Sequence, residues 1–104
     1  MSKISKACDI SAKVRQEVIE RDGGRSILSG SRENIQIAHY ISRARLGLGI
    51  PQNLVCLTAR EHIEYDNGKY HKEIKKRIEA YLRQHYPDWD NIKLTYSKRS
   101  DNID

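Results

Sequence analysis

The sequence predicts a small α+β domain in which two short strands are flanked by helices. Three patterns carry this expectation. The stretch "SAKVRQEVIERDGG" has a helical apolar face and ends in paired glycines, and "NIQIAHYIS" and "NLVCLT" are apolar runs too short for stable helices. A long amphipathic stretch, "KYHKEIKKRIEAYLRQHY", closes the pattern ahead of Pro87.

Taken in order, Ser11 is suited to cap the first of these helices, with Val14, Val18 and Ile19 on one face and Gly23-Gly24 as the stop. Ile35 and Ile37 alternate as in a strand, and Ile41 follows after a slip. "RARLGLGIPQ" has two glycines and a proline among arginines and reads as a basic loop. The second strand, "NLVCLT", runs into a helix from Thr58 or Ala59, which should end at "DNG" with Gly68 in the left-handed conformation. In the last helix Ile74, Ile78, Tyr81 and Leu82 form one stripe against a basic face. Residues 1–96 are expected to form a single domain, and the polar tail "SKRSDNID", Ser97 to Asp104, to be disordered.

Composition narrows the function classes. Apolar residues make up 38% of the chain and Phe is absent, so the core must come from Ile, Leu, Val and Tyr, with little margin. Such a core leaves no room for a deep metabolite pocket, and the functional surface should be shallow. The net charge of +5 favours a polyanionic partner, nucleic acid first. No apolar run approaches the ~18 residues of a membrane span. "MSKISKACDI" has no signal-like apolar centre, so the expected location is the cytoplasm. Cys8 and Cys56 lack metal-binding spacing and are expected to be unrelated thiols.

Four residues form a chemical constellation. His39 ends the first strand, Asn53 opens the second, and His62 and Asp66 lie one turn apart on the next helix. Residues at i and i+4 share a helix face, so His62 and Asp66 can bind one divalent cation. His39 is a candidate base, and Asn53 can orient it without titrating. Singly, each also fits a plain role: His39 as a hydrogen-bonded structural residue, the His62–Asp66 pair as a helix-surface pair, Asn53 as a turn residue. Their joint position at strand, strand and helix favours the chemical reading.

Together "VRQEVIERDGG", "IAHYISRARLGLGIPQNLVCL" and "EHIEYDNG" resemble the HNH endonucleases, especially the small forms of tailed bacteriophages, from about Lys13 to Trp89. The resemblance implies a ββα-metal core that clasps one divalent ion, Mg²⁺ or Mn²⁺ first and Zn²⁺ second, and hydrolyses DNA phosphodiesters. It assigns the base to His39, its orientation to Asn53, and metal ligation to His62 and Asp66. The implied partner is double-stranded DNA, cut in the host cytoplasm if the gene is a phage one, with phage terminase or packaging proteins as further partners. One site per chain implies nicking by a monomer unless a homodimer forms. Arg43 and Arg45 in the basic loop, and Lys69 with Lys72, Lys75, Lys76 and Arg77 beyond, are the candidate DNA contacts.

The chain departs from the family pattern twice. Relatives carry two CxxC pairs for a structural zinc, and these fall on Ser26 and Ser29 and on Thr58 and Glu61. Hydroxyls are poor zinc ligands, so no structural zinc is expected; hydrogen bonds from Ser26, Ser29 and Thr58 and packing by the last helix should hold the same loops. Relatives also place a metal ligand just before the base, where this chain has Ala38. That leaves two protein ligands, or an alternative in which His39 binds the metal and Tyr40 is the base.

Overall fold

The computed structural model describes residues 2–97. The tail expected to be disordered therefore lies, apart from Ser97, outside the described residues. The elements are α1 (Lys3–Cys8), α2 (Ala12–Asp22), β1 (Ile35–His39), β2 (Leu54–Thr58), α3 (Ala59–Asn67) and α4 (His71–His85). Short 3₁₀ turns cover Arg43–Arg45, Pro51–Asn53 and Asn91–Leu94. The architecture is α+β, as the sequence predicts. Among the described residues no helix is long and apolar enough to cross a membrane.

Local chemistry sets most boundaries. The Ser11 hydroxyl accepts from Val14 N at 3.1 Å and opens α2, and Gly23 closes it at φ +71°. α3 begins with a reciprocal capping box: Glu61 N donates to the Thr58 hydroxyl, and Thr58 N donates to the Glu61 carboxylate. Its other end corrects the expectation for Gly68, which is extended at φ −88°. Glycine is needed there for space: a Cβ would lie 2.5 Å from the Glu64 carbonyl oxygen, because α4 starts almost at once. α1 was not anticipated, since "KISKAC" carries no apolar stripe; Ser2 caps it and the buried Cys8 anchors it.

β1 and β2 pair antiparallel, with Ile37 opposite Cys56 and Ala38 opposite Val55. Because strand side chains alternate, the sheet has two covered faces. Ile37, Leu54 and Cys56 pack on Val18 of α2. Ala38, Val55 and Leu57 pack on Tyr65 of α3 and on Ile74, Ile78 and Leu82 of α4, with Trp89 and Leu94 beyond. The expected α4 stripe is present, with Tyr81 at its half-buried margin.

The open edge of β2 is closed by Ile27 N, which donates to Cys56 O at 3.0 Å, and by one ion pair. Arg21 binds Asp22 at 2.7 Å, and both side chains are nearly inaccessible. Asp22 accepts from Cys56 N and from the Tyr81 hydroxyl, while Arg21 donates to Leu54 O, Pro51 O and the Tyr86 hydroxyl. This hub ties α2, β2 and α4 together. Cys8 and Cys56 are both buried free thiols.

Candidate functional site

β1 and β2 are joined by the long loop 40–53, and Asn53 closes it. Its side chain is fully buried, accepts from Ile41 N at 2.8 Å, and donates to Ile41 O at 3.1 Å and Leu48 O at 2.9 Å. Its carbonyl accepts from Tyr40 N at 2.7 Å. The expectation that Asn53 holds the His39 imidazole is therefore corrected: its amide is consumed by the loop backbone, and it fixes the loop that follows His39.

The group that holds His39 is the Cys8 carbonyl, 2.9 Å from Nε2. A carbonyl only accepts, so Nε2 carries the proton, and the Nδ1 lone pair has no hydrogen-bond partner among the described residues. Burial is the largest influence on this imidazole and lowers its pKa below the ordinary 6.5; the Cys8 bond and Asp66 oppose that, while Arg43 and His62 reinforce it. His39 is thus neutral near pH 7, the form a base requires. Tyr40 is unsuited to the alternative role, because its buried hydroxyl donates to Glu79 at 2.8 Å and burial raises its pKa further.

On α3, His62 Nδ1 donates to the Gln36 side-chain oxygen at 2.8 Å. That leaves the Nε2 lone pair facing Asp66 Oδ2 across 3.3 Å. Two acceptors at this distance repel unless a positive charge lies between them, either a proton on Nε2 or a metal ion. Two donors of one ion with bonds near 2.1 Å sit about 3.4 Å apart in a tetrahedral shell and about 3.0 Å apart in an octahedral one. A separation of 3.3 Å is therefore in the range of a shared divalent cation as well as of a protonated His–Asp pair. Gln36 orients the His62 ring by holding its Nδ1. Among the described residues no cluster of three His, Cys, Asp or Glu side chains forms a fuller cage. Ala38 is fully buried on the core face of β1, so it adds nothing to the pair.

His39, His62 and Asp66 line one open cleft of about 680 Å³, together with Asp9, Arg15, Ile37 and the loop residues 42–44. Arg43 sits on its rim, bound to Asp9 at 2.7 Å. Arg45 belongs to an adjoining concavity with His71 and Lys75 that shares Ser42 and Asp66 with the cleft. Lys69 lines neither and lies 5.1 Å from the Tyr70 ring centroid. Arg77 donates to Leu28 O and so braces the chain itself.

The four positions at Ser26, Ser29, Thr58 and Glu61 do converge. Ser26 donates to Glu61 at 2.5 Å and accepts from Leu28 N and Ser29 N. Burial acts most strongly on Glu61 and would raise its pKa, but the hydrogen bonds from Ser26, Thr58 and Ser29 outweigh it and lower the value. A carboxylate and hydroxyls thus form the knot that the sequence predicted would hold these loops.

Sequence reasoning missed Cys8, Asp9, Arg15 and Gln36. The role of Cys8 is played by its backbone and has no side-chain signature. Gln36 was legible in principle, since strand alternation puts it on the same side of β1 as Ala38, toward α3. No protein-family profile, curated protein or solved structure matches this chain.

Proposed function

We propose that the chain is a divalent-metal-dependent DNA endonuclease of the HNH type, hydrolysing phosphodiester bonds in duplex DNA. The observation that carries the reading is the convergence on one arginine-rimmed cleft of His39, whose Nδ1 has no partner among the described residues, and of the His62–Asp66 pair, whose facing atoms lie 3.3 Å apart.

In this mechanism Arg15 and Arg43 bind the phosphate, Arg43 exchanging the Asp9 carboxylate for it. His39 Nδ1 takes a proton from the attacking water, and the Cys8 carbonyl stabilises the resulting imidazolium through Nε2–H. The water oxygen bonds to phosphorus, the bond to O3′ breaks, O3′ takes a proton from solvent water, and the products are a 5′-phosphate and a 3′-hydroxyl. A divalent ion held by His62 and Asp66 would supply Lewis-acid stabilisation of the charge on the phosphoryl oxygens. Roles in phage packaging and contacts with terminase proteins belong to the same proposal and follow from the family resemblance.

The burial of Ala38 favours a second reading, a DNA-binding or packaging accessory module whose two-ligand metal pair is too weak for turnover. Single-turnover reaction of an end-labelled duplex separates the two. The endonuclease reading predicts Mn²⁺- or Mg²⁺-dependent products that carry 5′-phosphate and disappear with EDTA. Retention of DNA without products under every metal supports the accessory module.

A further inference from the structure

α1 and the corner that follows it meet the site at three points. A helix leaves its last carbonyls without partners of its own. In α1, Ala7 O accepts from Gly49 N at 3.0 Å and Cys8 O accepts from His39 Nε2 at 2.9 Å. The third contact is Asp9 with Arg43 at 2.7 Å. The Cys8 side chain, 2% exposed, fastens the corner from the inside.

The seat for this corner is Gly49. A Cβ at position 49 would lie 2.0 Å from the Asp9 carbonyl oxygen, 2.6 Å from its carbon and 3.0 Å from Cys8 O. These are backbone atoms, which cannot swing aside as a side-chain tip can. A side chain at 49 therefore forces the Cys8–Asp9 corner and the loop around 49 apart, which should carry the Cys8 carbonyl off His39. The loop that bears Arg43 and the strand that ends in His39 are thus held in one arrangement by the docking of α1.

We propose that α1, seated on Gly49, is a positioning element of the hydrolytic site, and that Gly49 and the Cys8 carbonyl act by fixing the His39 ring so that Nδ1 faces the cleft. The catalytic part of this proposal rests on the endonuclease reading; the positioning part does not. It assigns function to a helix outside the ββα arrangement and to a glycine that touches no substrate. Misplacement of a reacting group by about 1 Å commonly costs about 100-fold, so displacement of α1 should lower kcat by about 10- to 100-fold with DNA affinity retained.

The test uses the whole chain with ¹⁵N-labelled histidine, as wild type, Gly49→Ala, Ala7→Pro and Asp9→Asn. Ala7→Pro breaks α1 without adding atoms at the seat, and stands in if Gly49→Ala does not fold. Wild type and Asp9→Asn should show a His39 Nε2–H signal protected from solvent exchange. Gly49→Ala and Ala7→Pro should lose it, together with kcat but not DNA affinity. A wild type that shows the signal but cuts no DNA, with the signal lost in both displaced variants, would keep the positioning role and remove the endonuclease reading. Absence of the signal from wild type would overturn the positioning role itself. A His39 Nε2–H signal and a cleavage rate that persist in both displaced variants would overturn the proposal.

Discussion

Ser26 and Glu61 show how one carboxylate can organise a loop junction. Glu61 serves both the α3 cap and the Ser26 hydroxyl, and Ser26 in turn satisfies two backbone amides. Ser26 is 4% exposed, so Ser26→Ala strands those amides and should cost about 1–3 kcal/mol in denaturant unfolding. The pH dependence follows from the lowered Glu61 pKa. A carboxylate titrating lower in the folded state stabilises fully above its unfolded value, near 4.5, and loses that contribution as pH falls through the folded value. The stability difference between wild type and Glu61→Gln should therefore shrink from about pH 7 to about pH 3. A difference that stays constant across that range would show that Glu61 acts through shape alone. The serines were legible as a substituted ligand frame, but the sequence did not reveal that Glu61 would be its centre, because a capping box is a local signal and the Ser26 contact spans the chain.

At the scale of elements, helix caps and apolar alternation predict α2, β1, β2, α3 and α4 within a residue or two. The misses have physical causes. α1 is polar and depends on tertiary contacts at its end, and Gly68 is required by the approach of Glu64 rather than by a turn. Arg21 and Asp22 carry no sequence signal beyond their place at the end of α2, yet they bind β2 and link it to α4. Removing one partner of a buried pair leaves an uncompensated charge, so Asp22→Ala should destabilise by about 3–5 kcal/mol in chemical denaturation. An effect below about 1 kcal/mol would mean that Arg21 finds equivalent partners.

For the whole molecule, the cleft and its neighbour adjoin through Ser42 and Asp66, with Arg15 and Arg43 in one concavity, Arg45 and Lys75 in the next, and the carboxylates of Asp9 and Asp66 among them. If the second concavity holds a flanking stretch of the DNA backbone, Arg45→Ala combined with Lys75→Ala should reduce the salt slope of binding by about 2, with cleavage chemistry unchanged at saturation. An unchanged slope would remove those residues from the interface. The constellation of His39, His62 and Asp66 was legible because strand and helix periodicity determine where side chains point. The holder of His39 was not, because it is a carbonyl contributed by a helix distant in sequence. The central claim is tested most directly by relaxation of supercoiled plasmid with wild type and His39→Ala, each in Mg²⁺, Mn²⁺, Zn²⁺ and EDTA. The account predicts open-circle or linear product from wild type with metal only, and a loss of about 10²- to 10⁴-fold in His39→Ala with DNA binding intact. Plasmid left supercoiled by wild type under every metal, or cut equally by His39→Ala, would contradict it.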